Sequence, residues 1–455
     1  GYMVMKNTLY ALILISLSFS QEPYMFPDDQ LPPQVEIFPE RPPMLLELGE
    51  KFFKVGEVPY GINPWSGTYW QPALWVFGTY RTSNQYSALS KADSPSLNNW
   101  VNRFDLFANI KLSGTERFFA AWRPLDKGGM TGIDFTQENA EFTHNFEEKG
   151  DGESFKQWFF PATWFFEGDI AELFQFLDYE DKLPRDIGFT LGRQPIFFQE
   201  GIVINDILET FGLAINGLYF PRASNLKISL MTARNHPDRD GQDEYIYGAF
   251  TEIDFHKNMV NLDIAYVQEN QSGKTNGIVI GGSNVQKFGF WNTSFRVGYS
   301  KALGETSDIG DGIFLMGEFS RKHYPYRNIM YVNSFIKLDS FTPAAGGGAV
   351  GRTGILFAGS GMTGYGSPMG TALGADEMGA SAGYQWFMQG GKQSILFEGS
   401  YRQALDDGTD TKIGLGFKFM KALGQRYAGF IDGFTVIPKD GSLSTGGRVE
   451  LMVRF

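Results

Sequence analysis

Apolar and polar residues alternate one by one along most of the chain, which is the pattern of half-buried β-strands. The clearest example is the stretch from Arg103 to Arg123, which predicts two strands joined by a tight turn at Ser113-Gly114. One face of this hairpin is apolar and the other is charged. The apolar face carries Phe104, Leu106, Ala108, Ile110, Leu112, Phe118, Ala120 and Trp122, and the charged face carries Arg103, Asp105, Lys111, Arg117 and Arg123, together with Phe107.

Similar alternation recurs from residue 71 to the end of the chain, with turn residues between the segments. A first count gives 17 strands, and Asn276–Gly282 supplies an eighteenth if it also pairs. An even number suits a barrel whose two ends face the same side of a membrane. The pattern therefore predicts an all-β transmembrane antiparallel barrel of about 18 strands, within a range of 16–18. Its short turns are expected at Ser113-Gly114, Ala223-Ser224, Lys257-Asn258, Ser283-Asn284, Gly390-Gly391 and Leu423-Gly424.

The last strand of the chain ends on an aromatic residue, and the apolar residues before it alternate with polar ones. This segment resembles the carboxy-terminal strand of bacterial outer-membrane β-barrels. In that family the terminal Phe and its alternate apolar neighbours serve as the signal for barrel assembly. The resemblance implies an assembly signal formed by Val449, Leu451, Val453 and Phe455. It also implies the outer membrane of a Gram-negative bacterium as the location, with outer-membrane lipid, lipopolysaccharide and the barrel assembly machinery as partners.

Composition supports a barrel and excludes several other classes. The 455 residues include 55 Gly and 42 Phe but no Cys. Beyond the amino terminus no run of about 20 apolar residues predicts a membrane helix. Disulfides, thiolate metal sites and covalent haem are excluded because no Cys is present, and we expect no cofactor. The net charge of −12 argues against nucleic acid as a partner.

Three regions are predicted from the change in composition along the chain. Residues 1–20 have the pattern of a secretory signal peptide, with Lys6 before a short apolar core. Residues 21–70 are rich in Pro and predict an extended periplasmic arm. This arm could enter the barrel as a plug, bind a periplasmic partner or lack fixed structure. Residues 71–455 form the predicted transmembrane barrel.

A second resemblance lies within Ile187–Gly217, where one strand ends in Gly192-Arg193-Gln194. This segment is similar to the Gly-Arg-Gln strand of alginate-export-type porins. Phe211 to Gly217 follows where that family has a Phe-Asp-Gly-like element, although Asn216 replaces the Asp. The resemblance implies an 18-stranded barrel with an export pore, and it covers only about 30 residues closely.

Three long loops are expected on the extracellular side. Residues 124–160 are acidic, 195–210 are apolar with a few carboxylates, and 339–379 are rich in Gly. The second and third could fold into the lumen, as irregular chain is tolerated where it lines a cavity. The candidates for a constriction are Glu200, Asp206 and Glu209.

Motifs for chemistry are weak. Gly379–Gly383 matches the G-x-S-x-G pattern around Ser381, but it enters a strand and lacks the strand-to-helix turn of a nucleophile elbow. The four His residues show no ligand spacing, and we predict no metal site. A short acidic run at 238–241 supplies only half of a calcium loop.

The sequence therefore predicts a porin that lets small hydrophilic solutes cross the outer membrane, and not an enzyme. Basic residues outnumber acidic ones on the inward phases, which predicts a mild preference for anions. Mutual pairing of the charges is the alternative. A scaffold that docks a partner, and an outer-membrane hydrolase using Ser381, are the other functions considered. The candidate pore-lining residues are Arg103, Asp105, Lys111, Arg117, Arg123, Arg296, Glu398 and Arg402.

Overall fold

The structure is a computed structural model, and its description covers most of the predicted barrel and part of the arm. No helix in the described ranges is long and apolar enough to cross a membrane. The described residues are 41–52, 61–62, 70–88, 96–125, 131–134, 141–143, 161–174, 186–234, 244–270, 273–323, 327–358, 367–370, 374, 376–406 and 410–455.

Eighteen antiparallel strands form a closed barrel, as the alternation predicted. Each pairs with the next along the chain, since short turns join strands on one side. The wall strands are β2 (Ala73–Ala88), β3 (Leu97–Lys111), β4 (Arg117–Trp122), β7 (Thr163–Asp169), β8 (Ile187–Phe198), β9 (Ile204–Leu218), β10 (Ala223–Arg234), β11 (Glu244–Phe255), β12 (Asn258–Glu269), β13 (Gly277–Phe288), β14 (Trp291–Ala302), β15 (Gly312–His323), β16 (Asn328–Asp339), β18 (Glu377–Met388), β19 (Gln393–Ala404), β20 (Lys412–Ala422), β21 (Tyr427–Pro438) and β22 (Ser444–Arg454).

The other strands and the α-helices are short and are not part of the barrel wall. In the arm, β1 (Leu46–Leu48) pairs with the start of β2. In the long loop after β4, β5 (Thr131–Asp134) pairs with β3 and with β6 (Glu141–Thr143). Helix α1 (Ile170–Leu173) follows β7, whereas β17 (Ala345–Gly346) and helix α2 (Ile355–Ala358) belong to the Gly-rich loop after β16.

The barrel closes between its first and last strands. Strand β2 pairs with β22 from Thr79↔Arg454 to Ala88↔Thr445. The terminal Phe455 continues this ladder, because its amide donates to the Gly78 carbonyl and its carbonyl accepts from the Gly78 amide. The sheet is left without an exposed edge, which is the condition for strands in lipid.

The two faces of the wall have opposite chemistry. On one phase of each strand, large apolar side chains are exposed, including Val449 at 59% and Leu415 at 59%. On the other phase, charged side chains are buried, including Arg448 and Glu450 of the same last strand. Only the inside of a closed barrel can bury a polar phase, so the apolar phase faces lipid and the charged phase faces the lumen.

Two sequence expectations about the turns need correction. Asn276–Gly282 does contribute a wall strand, which confirms the count of 18, but the turn placed at Ser283-Asn284 is wrong. Strand β13 continues to Phe288 and turns at 289–290. The turn placed at Ala223-Ser224 lies slightly earlier, at 219–222, where Arg222 takes a positive φ of 66°. The hairpin around Ser113-Gly114 and the turns at Gly390-Gly391 and Leu423-Gly424 are confirmed.

A half-filled lumen as the candidate functional site

The tip of the β8–β9 hairpin leaves the wall and lies inside the barrel. Its residues Ile202 and Val203 are fully buried. Their neighbours are inward positions of two distant strands, since a Cβ on Gly281 would meet Val203 at 2.5 Å and one on Gly298 would meet Ile202 at 2.5 Å. The glycines of β13 and β14 therefore leave room for the hairpin, whose base is anchored by Phe198 stacking on Phe250 at 3.4 Å.

The Gly-rich loop after β16 also folds into the lumen and joins the hairpin. Strand β17 pairs in parallel with the start of β9, Ala345 opposite Ile204, and the Ala344 amide donates to the Val203 carbonyl at 2.8 Å. Close approach depends on Gly346, where a Cβ would lie 2.1 Å from the Asn205 carbonyl. An apolar core forms between both segments and the wall. It includes Ile202, Val203, Phe314, Phe335, Phe341, Ala344, Val350, Leu356, Phe357 and Met369.

Glu398, a candidate pore-lining residue, holds this loop in place. It is 3% exposed on β19, and its carboxylate accepts from the amides of Ile355 at 2.8 Å and Leu356 at 3.1 Å. The hydroxyl of Ser400 donates to it at 2.9 Å, and the Tyr331 hydroxyl also donates to it. A carboxylate at the start of helix α2 satisfies amides that have no partner within the helix.

Arg402, another candidate, also holds the loop in place, at residues 369–370. Its guanidinium pairs with Glu377 at 2.7 Å and donates to the carbonyls of Met369 at 2.8 Å and Gly370 at 2.6 Å. Lys337 donates to the Gly374 carbonyl nearby. These inward charges of β16, β18 and β19 therefore bind backbone, so the structure places them against the loop.

A cluster of four charges links the two folded-in segments to the wall. Arg352 of the loop bonds Glu200 of the hairpin at 2.6 Å and Glu318 of β15 at 2.9 Å. Arg296 of β14 lies 3.3 Å from Glu318 and 3.6 Å from Glu200. Glu200 and Arg296 were among the sequence candidates. Arg352 was not, although it is the sole Lys or Arg between residues 339 and 379.

The wall on the other side of the lumen carries ion pairs of its own. Asp105 accepts from Arg103 at 2.9 Å and from Arg123 at 3.0 Å, and Arg117 pairs with Glu167. The side chains of Arg117 and Arg123 are 43% and 44% exposed, whereas those of Arg296 and Arg402 are 9% exposed. We call the wall of β22, β2, β3, β4 and β7 the open side, and that of β13–β16 and β18–β20 the filled side.

The arm and the last strand complete the open side. Arg81 of β2 bonds Glu450 of β22 at 2.6 Å, and Arg448 lies 3.0 Å from the same carboxylate. Lys111, a candidate residue at the end of β3, bonds Glu50 of the arm at 2.6 Å. The arm therefore reaches the inner face of the barrel near Trp75, whose indole donates to the Glu50 carbonyl.

The remaining sequence candidates have other surroundings. Asp206 lies beside Gly346, where the hairpin meets the loop. Glu209 is on the phase opposite Leu208 and Thr210, in register with Arg193 and Arg234 of the neighbouring strands. Of the three constriction candidates, Glu200 is the one in the charge cluster. In the last strand, Val449, Leu451, Val453 and Phe455 share the outer phase.

Groups with catalytic or metal-binding chemistry are few in the described ranges. Ser381 lies within β18 and donates to the Thr353 carbonyl, so it helps to hold the loop. Three carboxylates, Glu244, Glu269 and Asp308, place oxygens within 4.8 Å of one another and could hold a cation. Lys274 bonds Asp308, so the group already has a positive partner. The acidic run at 238–241 lies outside the described residues.

Comparison with known proteins shows likeness in fold at low sequence identity. The search against protein-family models and the search of curated proteins return no match. OccK2 (OpdF) from Pseudomonas aeruginosa matches with a TM-score of 0.52 and 11% identity over 84% of this chain and 97% of that chain. A BenF-like porin from Pseudomonas fluorescens Pf-5 gives 0.53, with 12% identity over 84% and 98%. OccK2 in complex with glucuronate gives 0.51, with 11% identity over 84% and 98%. The chain therefore has the fold of the 18-stranded barrels found among outer-membrane porins.

Proposed function

We propose that the protein is an outer-membrane channel through which small hydrophilic solutes pass without chemistry. The observation that carries the proposal is the contrast between the charged inner face and the apolar outer face of the barrel. An apolar belt outside and ion-paired side chains inside fit a barrel that lies in lipid and holds water. One side of that lumen is filled by the hairpin and the Gly-rich loop, and the open side carries exposed charged side chains. A narrowed aqueous path is the geometry of a selective pore.

Single-channel recording in planar bilayers tests this proposal directly. The full-length protein, refolded and shown to be heat-modifiable in electrophoresis, should give discrete conductance steps in KCl. The same material heated until it unfolds serves as the control. A correctly folded barrel without conductance would overturn the channel. It would favour the scaffold, in which the arm at 21–70 docks a periplasmic partner.

Charge selectivity follows from how far the lumen charges cancel. On the open side, Arg103 and Arg123 share Asp105, while Arg117 pairs with Glu167. Two guanidiniums for one carboxylate leave a local positive excess, which supports a mild anion preference. The other ion pairs of the lumen cancel each other's charge, so we expect the anion preference to be weak. In a salt gradient, the reversal potential should have the sign of weak anion selectivity, and a cation-selective sign would contradict this part of the proposal.

Finer assignments remain part of the proposal. We propose the outer membrane of a Gram-negative bacterium as the location, with lipid and lipopolysaccharide around the apolar belt. Phe455 and its alternate neighbours are proposed as the signal for the assembly machinery. The glucuronate bound by OccK2 is a sugar acid, which is consistent with ring-shaped polar solutes. The alginate-export likeness rests on Ile187–Gly217 alone, and its substrate is not carried over.

A further inference from the structure

Four phenylalanines form a continuous row on the lumen face of the open side. Phe77, Phe107, Phe119 and Phe165 come from the adjacent strands β2, β3, β4 and β7. Each shares its phase with inward charges such as Asp105, Arg117 and Glu167. Successive ring centroids are 5.3, 6.1 and 5.3 Å apart, with planes inclined by 28°, 28° and 32°. Rings at these centroid distances are in aromatic contact, so the four side chains form one continuous apolar strip.

The surroundings of this row differ from those of the inward rings on the filled side. There, Phe314 and Phe335 are at most 1% exposed and contact Phe341 and Phe357 of the folded-in loop. Those rings form a core. The four rings of the open side are each partly exposed on the inner face of the barrel. A row of partly exposed aromatic rings in a polar lumen offers apolar surface to a solute.

Charged groups of both signs border the row. On one flank of the row lies Asp105, the next inward residue to Phe107 on β3, together with its partners Arg103 and Arg123. On the other flank, Arg117 pairs with Glu167, and its guanidinium lies 6.0 Å from the centre of the Phe165 ring. Donors and acceptors therefore stand on both flanks of an apolar strip. Each of these guanidiniums contacts a carboxylate, although Arg103 and Arg123 share the one of Asp105, so the flanks offer both donors and acceptors. The strip therefore suits a solute that carries many hydroxyl groups and no full charge.

We propose that this row is a binding track for neutral pyranose sugars, an inference that rests on the proposed function as a channel. The apolar C–H face of a sugar ring would stack on Phe107 and Phe119, and its hydroxyl groups would bond the flanking carboxylates and guanidiniums. A purely apolar solute would displace water from those charged groups and offer no hydrogen bonds in return, which is costly. An aromatic carboxylate would compete with Asp105 and Glu167 for guanidiniums that are already paired.

Block of the KCl current by added solute tests the track with the full-length protein. D-glucose and sorbitol have the same number of carbons and no charge, but only glucose forms a ring. Glucose should reduce the current with a saturable dependence on concentration, whereas sorbitol should act only through viscosity. In a Phe107→Ala, Phe119→Ala variant, half-block should need about three- to tenfold more glucose, the loss expected for one or two stacking contacts.

Two further variants separate stacking from shape. Phe119→Leu keeps an apolar side chain but loses the aromatic face, so it should weaken block, whereas Phe119→Tyr should preserve it. Phe118→Ala, on the lipid-facing phase next to Phe119, is the matched control and should leave block unchanged. Heat-modifiable migration confirms that each variant folds.

The outcomes distinguish the track from the channel. If the parent protein does not conduct KCl, the proposed function fails and the track fails with it. If it conducts while glucose and sorbitol act alike, the track is wrong and the channel stands. Saturable block by benzoate but not by glucose would also overturn the assignment to neutral sugars.

Discussion

The filled and open sides of the lumen use the same residue types for different tasks. Glu398 on the filled side and Glu450 on the open side are both 3% exposed on inward phases. Glu398 accepts backbone amides of a loop, whereas Glu450 pairs with Arg81 and Arg448 of the wall. The two carboxylates have the same burial and the same strand phase, so their different roles follow from their different partners. A charged residue on the inner face can therefore line the pore only where it does not bind a loop that fills the lumen.

Removing the loop anchor should give the largest effect. In Glu398→Ala, the amides of Ile355 and Leu356 and the hydroxyls of Tyr331 and Ser400 lose a buried acceptor. An unsatisfied buried donor costs about 1–3 kcal/mol, so the part of the loop around Ile355 and Leu356 should leave its place and single-channel conductance should rise about twofold or more.

The matched control for that variant is Glu450→Ala. It removes an equally buried carboxylate, but one that binds Arg81 and Arg448 instead of a loop. Conductance should not rise, and selectivity should shift toward anions because two guanidiniums lose a partner. Equal conductance gains in both variants would remove the distinction between the two sides.

Adding bulk beneath the hairpin should give the next largest effect. A Cβ on Gly281 would lie 2.5 Å from Val203 and 2.8 Å from Gln199, so Gly281→Val should displace the hairpin at a cost of about 1–3 kcal/mol. Conductance should rise less than in Glu398→Ala, since the loop keeps its own anchors. The neighbouring Gly282 faces lipid, with its nearest contact at 3.4 Å, and Gly282→Val should conduct like the parent.

Removing charge from the open side should change selectivity without changing the size of the pore much. In Arg117→Ala, Arg123→Ala, Glu167 loses its guanidinium partner, and Asp105 keeps the guanidinium of Arg103 but loses that of Arg123. The permeability ratio should move toward cations by about twofold, as the local field becomes more negative. The reversal potential measures this change. Lys301→Ala removes an exposed pair with Asp311 instead, and should leave the reversal potential unchanged.

The short turn after β3, at the edge of the open side, should give the smallest effect, a pH dependence of stability. Burial raises the pKa of Glu116 in the turn after β3 above its ordinary value of 4.5, and Glu172 adds to the rise. The folded state therefore holds this proton more tightly than the unfolded chain. The contribution of Glu116 to stability is therefore greatest at acid pH, and it is lost as the pH rises from 4.5 through the raised pKa.

Heat-modifiable migration across this pH range measures the change. The midpoint temperature of the parent should fall with rising pH. Glu116→Gln should reduce that slope, because its amide does not titrate and can accept from one of the hydroxyls of Ser113 and Thr115 and donate to the other. The same slope in both proteins would exclude Glu116 as the cause.

The sequence was sufficient for the barrel because alternation has a period of two and needs no partner to be recognised. It failed at Ser283-Asn284 for a physical reason. Gly281 and Gly282 look like turn residues, but Gly281 is small because the hairpin residue Val203 lies against it. Local pattern cannot show a contact made with a segment almost 80 residues away.

The candidate site was only partly predictable from the sequence. Phase correctly grouped Arg103, Asp105 and Arg123 on one face of a hairpin, because their pairing lies within that hairpin, whereas Arg117 of the same face pairs with Glu167 of the next wall strand. It could not separate Glu398 and Arg402 from them, because these two bind a loop whose path is set by tertiary packing. Phe107 could be recognised in the sequence as an aromatic residue on a charged face. The row of rings to which it belongs could not, because the other rings come from three other strands.

Thiol accessibility tests the division of the lumen most directly, since the chain has no Cys and an introduced one is the sole thiol. Ala121→Cys places it on the inward phase of the open side, opposite Phe107, and Ser381→Cys places it under the loop of the filled side. A charged, water-soluble methanethiosulfonate reagent is added during single-channel recording. The account predicts rapid modification and a stepwise loss of current for Ala121→Cys, and no change for Ser381→Cys. Equal rates and equal loss of current in the two variants would contradict a half-filled lumen.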